Sequence, residues 1–226
     1  MFKRILQLLY PEVCFACSKT LLESENFLCT PCRLELPRPG LFLLKPNWLR
    51  LKFDGWMDYQ DVHCFFLFSE GGRVQHLMHQ IKYKGAQDLG RFLGIWCGAE
   101  LNKYNWPSAY EIILPIPMHQ QRMHQRGYNQ ALCIAEGISQ STQIPILMTG
   151  VERIKNSQTL IHQNRQERFS GLEDVFQVSD PSLFQGKHVL IVDDTLTTGA
   201  TMLALGKKIK AAGARQVSFL ALAALP

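Results

Sequence analysis

The clearest pattern in this chain is the run Val189 to Val192, four apolar residues in succession and mostly β-branched. A strand with one wet face alternates apolar and polar positions, so an unbroken run predicts a strand buried on both faces of a parallel sheet. Similar stretches predict strands near residues 62–68, 111–116, 144–148, 172–178, 188–192 and 216–222. Between them the period lengthens to that of a helix. Val74, Leu77, Met78 and Ile81 form one stripe, and Leu89, Phe92, Leu93 and Trp96 form the next. Ala131, Ile134, Ala135 and Ile138 form a third behind Asn129, a suitable N-cap. Met202, Leu205, Ile209 and Ala212 form a fourth that Gly213 can close. Strands alternating with helices give an α/β fold, with a central, mainly parallel sheet and helices on both faces.

The strand at 189–192 leads into Asp193 and Asp194, then Thr195, Leu196, Thr197, Thr198, Gly199, Ala200 and Thr201, where a helix begins. The carboxyl ends of parallel strands are where open α/β sheets place their ligands. A loop of Thr and Gly entering a helix offers unpaired N–H groups, hydroxyl donors and the positive end of the helix dipole, so it can hold a phosphate without a lysine. Two carboxylates beside it would repel that phosphate. They suit the vicinal hydroxyls of a ribose instead, with a Mg²⁺ nearby. The pattern therefore predicts a site for a phosphorylated sugar.

Near the N-terminus, Cys14, Cys17, Cys29 and Cys32 make C-x2-C-x11-C-x2-C, two knuckles able to converge on one tetrahedral Zn²⁺. So short a segment has little core of its own, and a metal would staple it. The disulfide alternative needs an oxidising compartment. The opening MFKRILQLLYP argues against that, since it lacks the apolar length and the cleavage site of a signal peptide. Cys64, Cys97 and Cys133 lie in apolar surroundings and read as core residues.

Lys82 and Lys84 fall at a helix end in IKYKG, where the helix dipole favours a cation. Arg122 and Arg126 fall in the segment MHQQRMHQRGYN, read as a loop; guanidinium groups pair bidentately with phosphate oxygens and stay charged. His119 and His124 have no partner evident in the sequence, and His76 and His79 read as solvated or capping rather than as a metal pair. Residues 37–60, rich in Pro, Trp and basic side chains, form a linker arm between an N-terminal unit, 1–36, and the α/β domain, 61–226. Its aromatics either pack on the core, the favoured reading, or, with Arg50, Lys52, Trp48 and Trp56, track single-stranded nucleic acid.

These motifs together carry a resemblance. VLIVDDTLTTGAT resembles the phosphoribosyl pyrophosphate (PRPP) motif of type I phosphoribosyltransferases. YPEVCFAC with CTPC, IKYKG, and ILPIPMHQQRMHQRGYNQA resemble, in order, the segments of the ComF family, which includes the GntX-type proteins. The resemblance runs from about residue 10 to the C-terminus and implies a type I phosphoribosyltransferase-like domain behind a four-cysteine zinc knuckle. It implies that Asp193, Asp194, Thr195, Thr197, Thr198, Gly199, Ala200 and Thr201 bind PRPP or a related phosphosugar or nucleotide with Mg²⁺, and that Lys82, Arg122 and Arg126 face its pyrophosphate. Residues 153–176 match the family's mobile loop at Arg153, Arg168 and Phe176. They depart from it at Leu160, where a Gln is expected and Gln158 stands two residues early, and at Gly171 in place of Asn. No second four-cysteine unit follows the first, as it does in some GntX-type relatives.

Two functions follow. One, implied by the resemblance, is a competence factor that assists the handling of incoming single-stranded DNA with the DNA-uptake helicase and channel, in the cytoplasm or at the inner face of its membrane. The other is an active Mg²⁺-dependent phosphoribosyltransferase, in which a base or amine displaces pyrophosphate at C1′. The altered loop and the want of a recognisable base-binding hood favour the first. Composition narrows little further. With 226 residues, 46% of them hydrophobic, the chain can bury one ordinary core plus an appendage, and a net charge of +5 permits an acidic partner without requiring one. No apolar run reaches the roughly 18 residues of a membrane span.

Overall fold

The computed structural model describes residues 11–39, 48–104, 109–155 and 174–226. Its centre is a four-stranded parallel sheet in the order β1 (Val62–Leu67), β6 (Gln216–Ala224), β5 (His188–Leu196), β2 (Ile112–Pro115). The unbroken apolar run of β5 is divided by the pleat. Val189 and Ile191 enter one core, and Leu190 and Val192 enter the other, all at 1% exposure or less. Each such side chain contributes about 1.5–3 kcal/mol of burial energy, which is why the run from Val189 to Val192 carries no polar position.

One face of the sheet is covered by α2 (Arg73–Tyr83), α3 (Gln87–Asn102) and α5 (Gln130–Thr142), together with the cysteine-bearing segment and its helix α1 (Thr30–Glu35). The other is covered by α6 (Ala200–Ala211) and by the arm residues Leu49 and Phe53. The predicted stripes are buried in α2, α5 and α6, while in α3 Leu89 and Leu93 are buried and Phe92 and Trp96 half-buried, and Asn129 caps α5 by accepting a hydrogen bond from the Ala131 N–H at 3.0 Å. The α3–α5 crossing is tight because it is built on glycine. A Cβ at Gly94 would lie 2.2 Å from the Ile134 carbonyl oxygen, and one at Gly137 would lie 2.1 Å from that of Arg91. Cys64, Cys97 and Cys133 are buried, and burial pushes the Cys64 thiol up to about 12 and the Cys133 thiol up to about 11.

Three expectations need correction. The strand expected at 144–148 is reduced to one parallel bridge between Ile113 and Ile146, because Pro145 has no N–H to donate and pairing cannot extend. The strand expected at 172–178 does not join the central sheet: β4 (Phe176–Val178) pairs antiparallel with β3 (Val151–Arg153) in a separate two-stranded ribbon. The segment read as a loop after β2 contains a helix, α4 (Gln120–Arg126), capped by the His119 side chain and closed by Gly127 at φ 77°. No residue of α4 is buried, so it carries no apolar stripe for periodicity to detect. Leu160, Gln158, Arg168 and Gly171 lie outside the described residues.

Candidate functional site

The carboxyl ends of β2 and β5 open onto a cavity of about 310 Å³. β5 runs further than the apolar run suggests, to Leu196, and its last residues stay paired with β6, Asp193 opposite Ala221 and Thr195 opposite Ala223. The acidic pair is therefore held on a strand rather than on a loose turn. Asp193, Asp194, Thr195, Thr197 and Thr201 line the cavity from this side, Lys82 from the last turn of α2, and Arg122 and Arg126 from α4. Eight expected residues, from β5 and the loop after it, the start of α6, α2 and α4, thus converge. Thr198, Gly199 and Ala200 are not on the lining. Thr198 accepts the Ala200 N–H at 3.4 Å, and Gly199 turns the chain into α6 at φ 81°. Gly199 also rests on the arm, since a Cβ there would lie 3.2 Å from the Phe53 ring. These three shape the loop from behind.

Lys82 is on the lining, but its charge is engaged by the end of β5. Its Nζ lies 3.1 Å from Asp194 Oδ1 and donates to Thr195 Oγ1 at 2.9 Å. Its neighbourhood is held by Tyr128, whose hydroxyl donates to the Ile81 carbonyl. Asp193 accepts the Asp194 N–H at 2.8 Å. Burial and the charge of Asp194 nevertheless raise the pKa of Asp193 to about 7, against the smaller opposing pull of that N–H, Lys82 and Arg153.

Arg153, Asn129 and Gln130 also line the cavity, and the reading of the sequence assigned none of them to the site. Arg153 arrives from the end of β3 with its guanidinium 5.6 Å from the Phe176 ring centroid; burial and the nearby Arg122 lower its pKa. Asn129 bridges two elements, donating to the Ile116 carbonyl at 3.0 Å while capping α5. Gln130, 1% exposed, accepts from Arg126 at 2.9 Å and so aims that arginine. Four cationic side chains thus face two carboxylates, one of them readily protonated, across a cavity open to an anion. His119 and His124 make only local bonds on α4, and His76 and His79 are exposed on α2.

At the far end of the chain, Cys14, Cys17, Cys29 and Cys32 bring their four sulfurs within 4.8 Å of one another, and Cys17 Sγ lies 3.7 Å from Cys29 Sγ. Tetrahedral thiolates at about 2.3 Å from Zn²⁺ stand about 3.8 Å apart, so the cluster fits the metal. Burial disfavours the Cys14 thiolate. The N–H groups of Cys29, Ala16 and Cys17 outweigh it and bring that pKa down to about 7, while burial pushes Cys32 up. Zinc would shift all four to the ionised form. Among the described residues this is the one such cluster of metal-ligating side chains.

Comparison with known proteins agrees with this geometry. Residues 129–226 match the model of the phosphoribosyl transferase domain, so the fold is phosphoribosyltransferase-like. The chain is 31% identical over 114 residues to "Competence protein F" of Haemophilus influenzae, a match covering 50% of this chain and 50% of that protein. It is 24% identical to "DNA utilization protein YhgH" of Escherichia coli over 91% of this chain and 87% of that one. It is 23% identical to "Competence protein ComFC" of Bacillus subtilis over 88% and 79%. These relatives, with the phosphoribosyl transferase domain, support the resemblance to the ComF family. Among solved structures, the glutamine PRPP amidotransferase of B. subtilis matches at a TM-score of 0.42 and 19% identity, over 64% of this chain and 30% of that one. No helix among the described residues is long and apolar enough to cross a membrane.

Proposed function

We propose that this protein is a competence factor whose phosphoribosyltransferase-like pocket binds PRPP, or a related phosphosugar or nucleotide, in the service of handling incoming single-stranded DNA. The observation that carries the reading is the convergence of the acidic pair, the threonine loop and the arginines of α4 on one cavity. In it Thr197 and Thr201 hold the 5′-phosphate at the start of α6, Asp194 and Asp193 accept hydrogen bonds from the ribose hydroxyls, and Arg122, Arg126 and Arg153 take the second anionic group. Asp193 and Asp194 are also the oxygen donors that would hold a Mg²⁺ arriving with PRPP, and that ion would neutralise diphosphate charge. The names of the relatives, competence and DNA utilization, support the setting, and the DNA-uptake helicase and channel would be its partners there. Work on single strands inside the cell places it in the cytoplasm or against the inner face of the membrane.

A second reading, an active phosphoribosyltransferase, is favoured by one observation: three arginines line the same cavity from α4 and β3, elements other than the threonine loop, and a pyrophosphate leaving group would need such cations. Turnover of PRPP with a nucleobase or an amine would establish it.

Calorimetry with PRPP and with inorganic phosphate tests the pocket. Asp194→Ala should weaken PRPP about tenfold, the loss expected for a charged hydrogen bond, and leave phosphate unchanged or slightly tighter. Thr201→Ala should weaken both. Equal losses for the two ligands in Asp194→Ala would defeat the assignment. Full natural transformation by an Asp194→Ala strain would separate the pocket from DNA uptake.

A further inference from the structure

Two helices reach the phosphosugar cavity from outside the sheet, and neither carries an acidic residue: α2 reads RVQHLMHQIKY and α4 reads QQRMHQR. The acid-free stretches are longer than the helices. Residues 71–87 and 112–135 hold no Asp or Glu, in a chain with 19 of them. On α3, by contrast, Arg91 is paired with both Asp88 and Glu136. The ends of the two helices also meet. The Tyr128 hydroxyl, just beyond α4, donates to the Ile81 carbonyl of α2, and the Arg126 guanidinium stands 5.4 Å from the centroid of the Tyr83 ring. The outer faces of α2 and α4 are therefore one continuous basic surface. On it Tyr83 is 63% exposed, the most exposed aromatic residue among those described. Leaving a ring in water costs free energy, and this one ends a helix whose buried stripe, Val74 to Ile81, is complete without it. Arg126 supports it from one side and the His79 ring, 5.0 Å away, from another.

We propose that this surface binds single-stranded nucleic acid, with a base stacked on the open part of the Tyr83 ring and the adjoining phosphate against Lys84. Arg126 keeps its place in the cavity, and adds its charge to the field of the surface. The chemistry selects the partner. Cations without acidic neighbours attract a polyanion, and a free ring beside them offers a stacking platform that a duplex, its bases already stacked on each other, cannot use. A phosphosugar alone needs no ring, and an anionic membrane would call for more exposed apolar area than Met123 adds on α4. This placement rests on the reading of the protein as a handler of single strands. It adds where the strand lies, along the outside of the cavity rather than within it.

The test measures binding of a labelled oligothymidylate of about 15 nucleotides to the full chain by fluorescence anisotropy across a salt series. Tyr83→Ala should weaken it about tenfold, within the range for loss of one stacking platform, whereas Tyr83→Phe, which keeps the ring, should bind like the wild type. Lys84→Gln should lower the slope of log affinity against log salt by about 0.7, the effect of one phosphate contact on a single strand. Both positions are exposed, so melting temperature and PRPP affinity should stay at their wild-type values. Tyr104→Ala, at an exposed ring on neither helix, is the control and should change nothing. Oligonucleotide binding that survives every variant would overturn the proposal and leave the single-strand reading standing, with the strand elsewhere. An equal loss of PRPP affinity in Tyr83→Ala would assign the ring to the cavity and overturn the proposal likewise. Phosphatidylglycerol vesicles are the competing probe: vesicle binding lost in Tyr83→Ala with oligonucleotide binding intact would give the surface to the membrane instead. If the wild type binds no oligonucleotide, the single-strand reading itself fails and the placement goes with it.

Discussion

Asp193 and Asp194 are adjacent in the chain yet differ in state. Asp194 has Lys82 at 3.1 Å, whereas Asp193 is half-buried, with desolvation and the charge of its neighbour acting on it, and its pKa rises to about 7. An aspartate whose folded-state value is raised stabilises the protein only while it keeps its proton. That contribution is fully present below the unfolded-state value, about 4, and is lost as pH rises through about 7. Asp193→Asn preserves the oxygen that accepts the Asp194 N–H and has no proton to lose. We expect the variant's melting temperature to rise relative to the wild type's as pH goes from about 4 to about 7, where only the wild type loses stability, and the difference to stay constant above about 7. Parallel melting curves for the two proteins across that range would show that burial of Asp193 does not control its ionisation.

At the scale of elements, the cysteine segment depends most on something outside its own packing. Cys29 is the N-cap of α1, a helix of 6 residues with Cys32 as its buried residue, so the thiols stand where a larger unit would place core side chains. Glu25 reinforces the turn by accepting from Leu22 N at 2.9 Å and Thr30 N at 2.6 Å, and these bonds hold its carboxyl below the usual range. The segment is docked through Phe27, 5.1 Å from Phe92 of α3, and through Arg33 over the same ring. Reduced, metal-replete protein should contain about one Zn²⁺ per chain by metal analysis, and a zinc content near zero would reject the site. Cys29→Ser should expose the N-terminal segment to limited proteolysis while the far-ultraviolet signal of the α/β core persists.

At the scale of the molecule, the arm at 48–60 couples the surface to the site. Phe53 is fully buried, stacks on Phe219 at 4.7 Å and touches the glycine that starts α6. Trp48 and Trp56 are half-buried against the same core, each with a lysine near its ring: Lys52 at 5.5 Å and Lys207 at 5.8 Å. This packing favours the arm as a structural brace over an open stacking track. Trp56→Ala should therefore cost about 2 kcal/mol of stability, about 4–8 °C in melting temperature, and leave oligonucleotide affinity unchanged. A loss of salt-dependent oligonucleotide binding at constant melting temperature would restore Trp56 to a DNA-binding role.

Periodicity alone determined β1, β2, β5, β6 and the four long helices, because each buries a face and a buried face must repeat with its element. The motif at 193–201 and the spacing of the four cysteines were equally legible, since both depend on residues close in the chain. What lay hidden depended on partners distant in sequence. The helix α4 has no apolar face, the segment at 144–148 fails as a strand at one proline, and 176–178 pairs with 151–153 instead of joining the sheet. Arg153 reaches the cavity only because that ribbon carries it there, and Lys82 faces Asp194 only because α2 packs across the end of β5. The sequence by itself marked the 193–201 motif, Lys82, Arg122 and Arg126 as candidates for a phosphorylated sugar. Tertiary structure alone decided how their charges pair and that Arg153, Asn129 and Gln130 join them, because electrostatic pairing and cavity shape depend on distances that no local pattern encodes.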